Sequence, residues 1–549
     1  MGNVRITNYV IEKSPSWAPN SSLLNSENHC IISFCVGQFF AFYFSEKGRK
    51  DEIRDYFSLP GELESIKPVS ISHLYHNFVN EDEVKMLWLS DISGKSSFKV
   101  GSKVLGGDSV ADSLDPILDQ FYMMSAVRTK IGAGDDTASI GINPFKSSIW
   151  RGPCQSWDEF ENRVVELLDT LNNGRDERLE PISILAYPIF DLDGVSNAYD
   201  FTVMEYDALP TNSPQRIRDL LQRIESGYHF EQIRSPIPTS VITIDLYYKD
   251  TKCATYNLTP KLDKHLIKFD VSSNYEAGKK TVSEKVEQLF NKPELVKCWF
   301  ESGHAIVGGM VFKTEYRDVQ FDKFIWADFE DFNVFKEKPS DEDGNLNLSL
   351  IGQQKSLFCW VKNFWTSRWL ANDDFYTTEI NSGWLYCDDG AGEKADFIHF
   401  DFDRDEPLLT FIHIKAAGKS RTSDGSQRKI SVGAHDVVLN QAIKNIRYYD
   451  RKRLSEALND RIENSETKIC WLNGEQKHAE EFLESLAQSS ERASMKTRVV
   501  VIQPHTRKTV YEATPRDNNV KRQLDTLLVS TNNAITATNT EFFIVGFSD

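Results

Sequence analysis

"CDDGAGEKADFIHFD" (residues 387–401), followed shortly by "LLTFIHIKAAGKS" (408–420), decides how the chain is read. "ADFIHFDF" alternates loosely and reads as a strand, and "PLLTFIHIKAA" reads as its successor. Just upstream, "SGWLYCDD" reads as a strand running into a turn rich in carboxylates. Asp388, Asp389, Glu393 and Asp396 therefore gather around two glycines at one strand end, and Lys415 closes the next strand. If these strands are neighbours, Asp396 and Lys415 meet at one end of a sheet. A carboxylate there holds a divalent cation, which polarises a phosphate and activates water. A lysine beside it orients the attack or stabilises charge developing on phosphoryl oxygens. Hard oxygen donors favour Mg²⁺ or Mn²⁺.

Working outward, "GQQKSLFCWVKNFWTSRWL" carries an apolar face and predicts a helix before the three strands. "AHDVVLNQAIKNIRYYDRKRLSEALNDRI" predicts a long helix after them, broken near Asp450 and capped by Ser431 or Asp436. Val437, Val438 and Ile443 mark its expected buried side. "RVVVIQP", "KRQLDTLLVSTNNAIT" and "TEFFIVGFS" then give strand, helix and strand, extending the same sheet or forming a small cap. In "ICWLNGEQKHAEEFLESL", Trp471 falls beside a helix start and Asn473 is a candidate cap. The expected fold class is α/β within an α+β chain: a central mixed sheet flanked by helices, preceded by a large N-terminal α+β region.

The whole chain sets the bounds. Its 549 residues exceed what one core fills and predict three or four domains. At 40% hydrophobic and 12% aromatic it is too apolar for disorder. Eight scattered cysteines without a CxxC pair argue against a zinc ribbon or disulfide framework and suit a reducing cytoplasm. No signal peptide or membrane-spanning run is evident, so a soluble cytoplasmic protein is expected. A net charge of −18 argues against attraction of the whole surface to nucleic acid. Locally the sign reverses: Lys415 to Arg453 holds ten Lys or Arg against three Asp, a net +7.

Toward the N-terminus, "WDEFENRVVELLDTLNN" reads as a surface helix and "PISILAYPIFDLDG" as a buried strand. "SVITIDLYYKDTKCATYNL" reads as a hairpin turning at Lys249-Asp250, and "SEKVEQLFNKPELVKCWF" as a helix interrupted at Pro293. "IGAGDD" (131–136) lacks the Lys-Ser or Lys-Thr of a phosphate loop and is expected to be a turn. "FKEKPSDEDGNLN" marks an exposed break near residue 340.

"GEKADF", "FIHIKAA" and "NQAIKNIRYY" together resemble the PD-(D/E)XK restriction-endonuclease-like superfamily. "DDGAGEKADF" with "HIK" and "QAIKN" resembles more specifically the branch found in bacterial anti-phage defence proteins. "ESGHAIVGG", "WADFEDFNVFKEK" and the ending "VIQP…LLVST…FFIVG" look like segments flanking that nuclease, so the resemblance spans roughly residues 295–549. It implies a restriction-endonuclease-like core over 341–460, with a C-terminal α/β extension over 461–549. Before these come an N-terminal α+β region of unknown role (1–240) and an intermediate α+β segment (241–340). The implied activity is metal-dependent hydrolysis of phosphodiester bonds in DNA, with RNA as the alternative, by an endonuclease acting in prokaryotic anti-phage or anti-plasmid defence. The implied partner is a helicase, ATPase or sensor.

Carried onto this sequence, the resemblance makes Asp396 the metal-binding aspartate of the second core strand and Lys415 the catalytic lysine. Gln441 matches a glutamine near the metal and scissile phosphate. Where the superfamily has Asp or Glu two residues before the lysine, this chain has His413, a ligand better suited to Mn²⁺ than Mg²⁺. The missing carboxylate is then expected from Glu393, on the preceding turn, or Glu337. Lys419, Arg421, Lys444 and Arg447 are the candidate phosphate contacts. Each has a plainer rival: Gln441 as a core amide, Lys444 and Arg447 as a solvated face. Phe364, Trp365 and Trp369 are more simply core than base-stacking groups. The alternative function is a catalytically degenerate nuclease-fold scaffold that binds nucleic acid or a protein partner.

Overall fold

The computed structural model describes residues 3–46, 48–50, 52–53, 66–93, 101–108, 110–131, 138–174, 184–204, 209, 214–233, 235, 237–248, 251–263, 266–342, 345–367, 383–390, 392–402, 406–417, 428–448, 451–464, 469–489 and 495–548. The chain forms two compact units. One comprises Met1–Asp91, Val100–Leu114 and Tyr122–Tyr187; the other Ile92–Lys99, Asp115–Phe121 and Pro188–Asp549.

In the first unit, antiparallel sheets of three and five strands enclose a core that includes Phe34, Leu87, Val127, Ile140 and Leu168. The expected helix is Trp157–Asn173, where the Ser156 side chain accepts the Glu159 N–H and caps the first turn. Among the described residues of "PISILAYPIFDLDG", Tyr187–Ile189 is a strand, preceded by buried Ile184, Leu185 and Ala186, and the second unit resumes at Pro188. Ile131 ends the Tyr122–Ile131 strand, and the rest of "IGAGDD" lies outside the described residues.

The second unit opens with two antiparallel sheets that share a core containing Phe201, Ile244, Tyr256, Phe290 and Phe300. The predicted hairpin pairs Ile242–Tyr248 with Thr251–Asp263, and its turn at 249–250 lies outside the described residues. Lys280–Glu287 is helical, but Val296–Phe300 is a strand rather than a helical continuation. Its β-branched and aromatic residues follow the break at Pro293 and are buried by the sheet.

An eight-stranded mixed sheet carries the region that decided the reading. Numbered along the chain, its strands are β1 (Phe324–Ala327), β2 (Trp384–Cys387), β3 (Phe397–Asp401), β4 (Leu408–Ile414), β5 (Cys470–Leu472), β6 (Glu475–Lys477), β7 (Lys496–Arg507) and β8 (Thr540–Phe547). Their spatial order is β1-β8-β7-β4-β3-β2-β5-β6. The pairs from β1 through β4 are parallel and the rest antiparallel. Successive side chains point to opposite faces. Leu409 and Phe411 of β4 enter one core with Val499 and Val501 of β7, while Ile412 and Ile414 enter the other with Val500 and Ile502. Burial on both faces explains why these strands read as nearly continuous apolar runs.

The flanking helices are α1 (Leu357–Ser367), α2 (Gly433–Lys444), α3 (Arg451–Asn464), α4 (Ala479–Ser489), α5 (Lys508–Ala513) and α6 (Asn519–Thr536). Leu357, Phe358, Trp360 and Val361 of α1 fill one core; Val438, Leu439 and Ala442 of α2 fill the other. Among the described residues no helix is long and apolar enough to cross a membrane.

Several expectations need correction. Position 240 falls within a sheet, because Tyr228–Ile233 pairs with Ile242–Tyr248. Position 340 follows β1, which belongs to the eight-stranded sheet through β8, and position 460 falls inside α3. The helix expected to break near Asp450 does break there: α2 ends at Lys444, Ile446–Tyr448 is a short 3₁₀ turn, and α3 starts at Arg451. Neither Ser431 nor Asp436 caps α2: the cap position is Val432, without a side-chain hydrogen bond. Of the three residues expected on the buried side of α2, Val438 is buried and Ile443 packs against the same core, but Val437 is 42% exposed. Asn473 is no helix cap. With Gly474 it forms the two-residue turn between β5 and β6, both at positive φ (51° and 88°), which Asn-Gly tolerates. Its side chain accepts the Gly383 N–H at 2.8 Å.

Candidate metal centre

The site grows from the β2–β3 connection. The Asp388 N–H donates to the Asp396 carbonyl at 3.1 Å and closes the connection at its base. Gly390 and Gly392 have φ of +118° and +82°, a region closed to most side chains, and so turn the chain back. The Glu393 carboxylate then accepts the Gly390 N–H at 3.0 Å, while the Glu393 N–H donates to the Gly390 carbonyl at the same distance. Asp388 holds this loop. It accepts the Lys394 N–H and the Arg461 Nε–H, each at 2.7 Å, and Arg461 also donates to its carbonyl. Burial raises its pKa, opposed by the Lys394 N–H and the Arg461 guanidinium.

With the loop fixed, oxygens of Asp389, Glu393 and Asp396 lie within 4.8 Å of one another. Asp396 is 5% exposed, and its Oδ2 accepts the Ile414 N–H at 2.7 Å, which ties it to the end of β4. Burial holds its pKa well above the usual carboxylate range, reinforced by Glu393 and Glu337 and opposed by the Ile414 N–H and Lys338. Glu393 is raised too, first by burial and then by Asp389. Each negative charge makes the next harder to hold, a situation that a divalent cation relieves. An all-carboxylate donor set fits a hard divalent cation, Mg²⁺, Mn²⁺ and Ca²⁺ alike.

At the end of β4, the Lys415 N–H donates to the Ile502 carbonyl at 3.0 Å, continuing the ladder with β7. Its ammonium lies 3.3 Å from Glu337 Oε2, which also accepts the Ala416 N–H at 3.2 Å. The Ala417 N–H reaches the Val334 carbonyl at 2.8 Å, so the segment carrying Glu337 is bound to the chain just beyond β4. Glu337, from a stretch that reads as a charged linker, thus connects Lys415 to the acidic group.

Lys338 was not apparent from sequence. Its ammonium lies 2.6 Å from Asp389 Oδ1 and 3.7 Å from Glu337 Oε1, with the Phe358 ring centroid at 5.6 Å. Burial would depress its pKa, yet Asp389, Asp396 and Glu337 raise it overall. Alternating charges in "FKEKPSDEDG" gave no sign that one lysine turns inward.

The other candidates are distributed as follows. His413 is 2% exposed, its Nε2 lacks a hydrogen-bond partner among the described residues, and burial alone drives its pKa down to about 3. It is not a member of the carboxylate group. Gln441 lies one turn before Asn445, whose side chain donates to the Glu393 carbonyl at 3.5 Å, so its face of α2 is the one meeting the loop. Lys444 is exposed in the last turn of α2. Arg447 lies in the 3₁₀ turn, with its side chain outside the description; Lys419, Arg421 and Trp369 lie outside the described residues altogether. The backbones of Phe364 and Trp365 belong to α1. No family model, curated protein or solved structure matches the chain.

Proposed function

We propose that the chain is a metal-dependent nuclease of the restriction-endonuclease-like kind, hydrolysing phosphodiester bonds in DNA. The observation that carries this reading is the convergence of Asp389, Glu393 and Asp396 within 4.8 Å at the start of β3, one strand away from Lys415. The order α1, β2, β3, β4, α2, with β7 returning parallel beside β4 after α3, the β5–β6 hairpin and α4, supports it. Asp396 and Glu393 would hold the ion, joined by Asp389. A bound divalent ion supplies Lewis acidity and lowers the pKa of water. Asp396 is aimed by the Ile414 N–H, and the Lys415 ammonium, paired with Glu337, is proposed to meet a phosphoryl oxygen. Gln441, on the face of α2 next to the loop, is proposed to position water or phosphate. The basic segment from Lys415 to Arg453, including Lys419, Arg421, Lys444 and Arg447, would follow the nucleic-acid backbone.

Action in cytoplasmic anti-phage or anti-plasmid defence, alongside a helicase, ATPase or sensor, belongs to the same proposal and rests on the sequence resemblance. One observation favours the scaffold reading instead. His413, which stands where the sequence resemblance calls for a second acid, is buried, and burial alone shifts its pKa. The test is nicking of supercoiled plasmid with Mn²⁺, alone and with the natively co-purified partner. The parent should nick and Lys415→Ala should lose about 10²-fold or more in rate, with Mn²⁺ binding retained. An inactive parent that also binds no ion would leave the scaffold reading.

A further inference from the structure

We propose that Lys338 is the resident counter-ion of Asp389, and that a divalent ion gains Asp389 as a ligand only by displacing it. This rests on the metal-centre reading and adds what sets the affinity of that centre. The Asp389 side chain is 2% exposed, so its contact with Lys338 at 2.6 Å lies out of solvent. An ammonium and a divalent ion on the same oxygen repel each other strongly at that depth. Lys338 has somewhere to go. Its side chain is 28% exposed, and Glu337 Oε1 already lies 3.7 Å from the ammonium, on the side of Lys415. Moving from Asp389 to Glu337 would vacate the acidic triad while keeping the charge paired. Lys338 and the metal are therefore competitors, and the centre binds its ion more weakly than three converging carboxylates would by themselves.

The experiment is calorimetric titration of Mn²⁺ into the full chain, the Lys338→Met and Lys338→Arg variants, and both Lys338 backgrounds combined with Asp389→Asn. Lys338→Met is expected to bind Mn²⁺ about tenfold tighter, and Lys338→Arg to stay within about threefold of the parent. The gain from Lys338→Met should vanish when Asp389 is Asn. Metal-free Lys338→Met should melt below the parent, with saturating Mn²⁺ closing the difference. Equal or weaker binding by Lys338→Met, with normal binding by the parent, would overturn the competition. Persistence of the gain in Asp389→Asn would also overturn it. Binding by the parent that is lost in Asp396→Asn supports the centre independently of Lys338. No binding by any form removes both.

Discussion

Replacing Asp396 with Asn should make the metal-free protein more stable and the metal response smaller. Asn keeps an oxygen for the Ile414 N–H that now reaches Asp396 Oδ2 at 2.7 Å. It removes a charge whose neighbours Glu393 and Asp389 lie within 4.8 Å. At that separation each like-charged pair costs about 3.5 kcal/mol at an effective dielectric constant near 20. Attraction from Lys338 offsets part of this, and a net gain of roughly 1–3 kcal/mol remains. The sign depends on pH. The folded-state pKa of Asp396 is raised, so the native wild type binds more protons than the unfolded chain. Its stability is therefore highest below the ordinary carboxylate range and falls as pH climbs toward the raised value. The Asn variant has no such loss at this position, and its advantage should grow as pH rises from the ordinary carboxylate range toward the raised value. Denaturant midpoints in EDTA and in Mn²⁺ test this, since an ion at one hundred times its Kd adds about 2.7 kcal/mol to a protein that binds it. An Asn variant no more stable than wild type at pH 8 in EDTA, or one keeping the full Mn²⁺ stabilisation, would refute the reasoning.

Two further outcomes concern groups away from the ion. Arg461→Ala strips the fully buried Asp388 carboxylate of its guanidinium and should cost about 3 kcal/mol by chemical denaturation. Adding Asp388→Asn should recover part of that loss, and an uncoupled pair would contradict the assigned role. In α6, burial is the main cause lifting Asp525 from 3.8 to about 6, opposed by the Tyr511 hydroxyl and Lys521. Stability should thus decline by about 3 kcal/mol as pH rises from 4 to above 6, and Asp525→Asn should flatten that slope.

"PLLTFIHIKAA" is legible because burial on both faces demands a nearly continuous apolar run, whereas "ADFIHFDF" shows itself by loose alternation although every residue of β3 is buried. The two glycines between the acids signal a tight connection, and both lie at positive φ. What escaped depends on distant pairing. Nothing local in "FIWA" says that β1 lies beside β8, so the break near 340 came too late. "VKCWF" was drawn into a helix because the strand pairing that buries it comes from Ala198–Val203, far upstream. Asn-Gly at 473–474 does carry a hairpin signal, overlooked beside the stronger helix that follows. The inward turn of Lys338 had no periodicity to announce it, because a charged stretch is solvated by default until a buried acid claims one of its members.

The sheet's connectivity also governs folding. β7, whose backbone continues the ladder to Lys415, has β8 on its other side, and β1 pairs with β8. Until residues 540–547 are in place, β7 presents an unpaired, apolar edge on the side away from β4, the kind of edge that invites unwanted pairing. Because β8 lies between β1 and β7, closing the sheet joins segments far apart in sequence, a long-range pairing that slows folding.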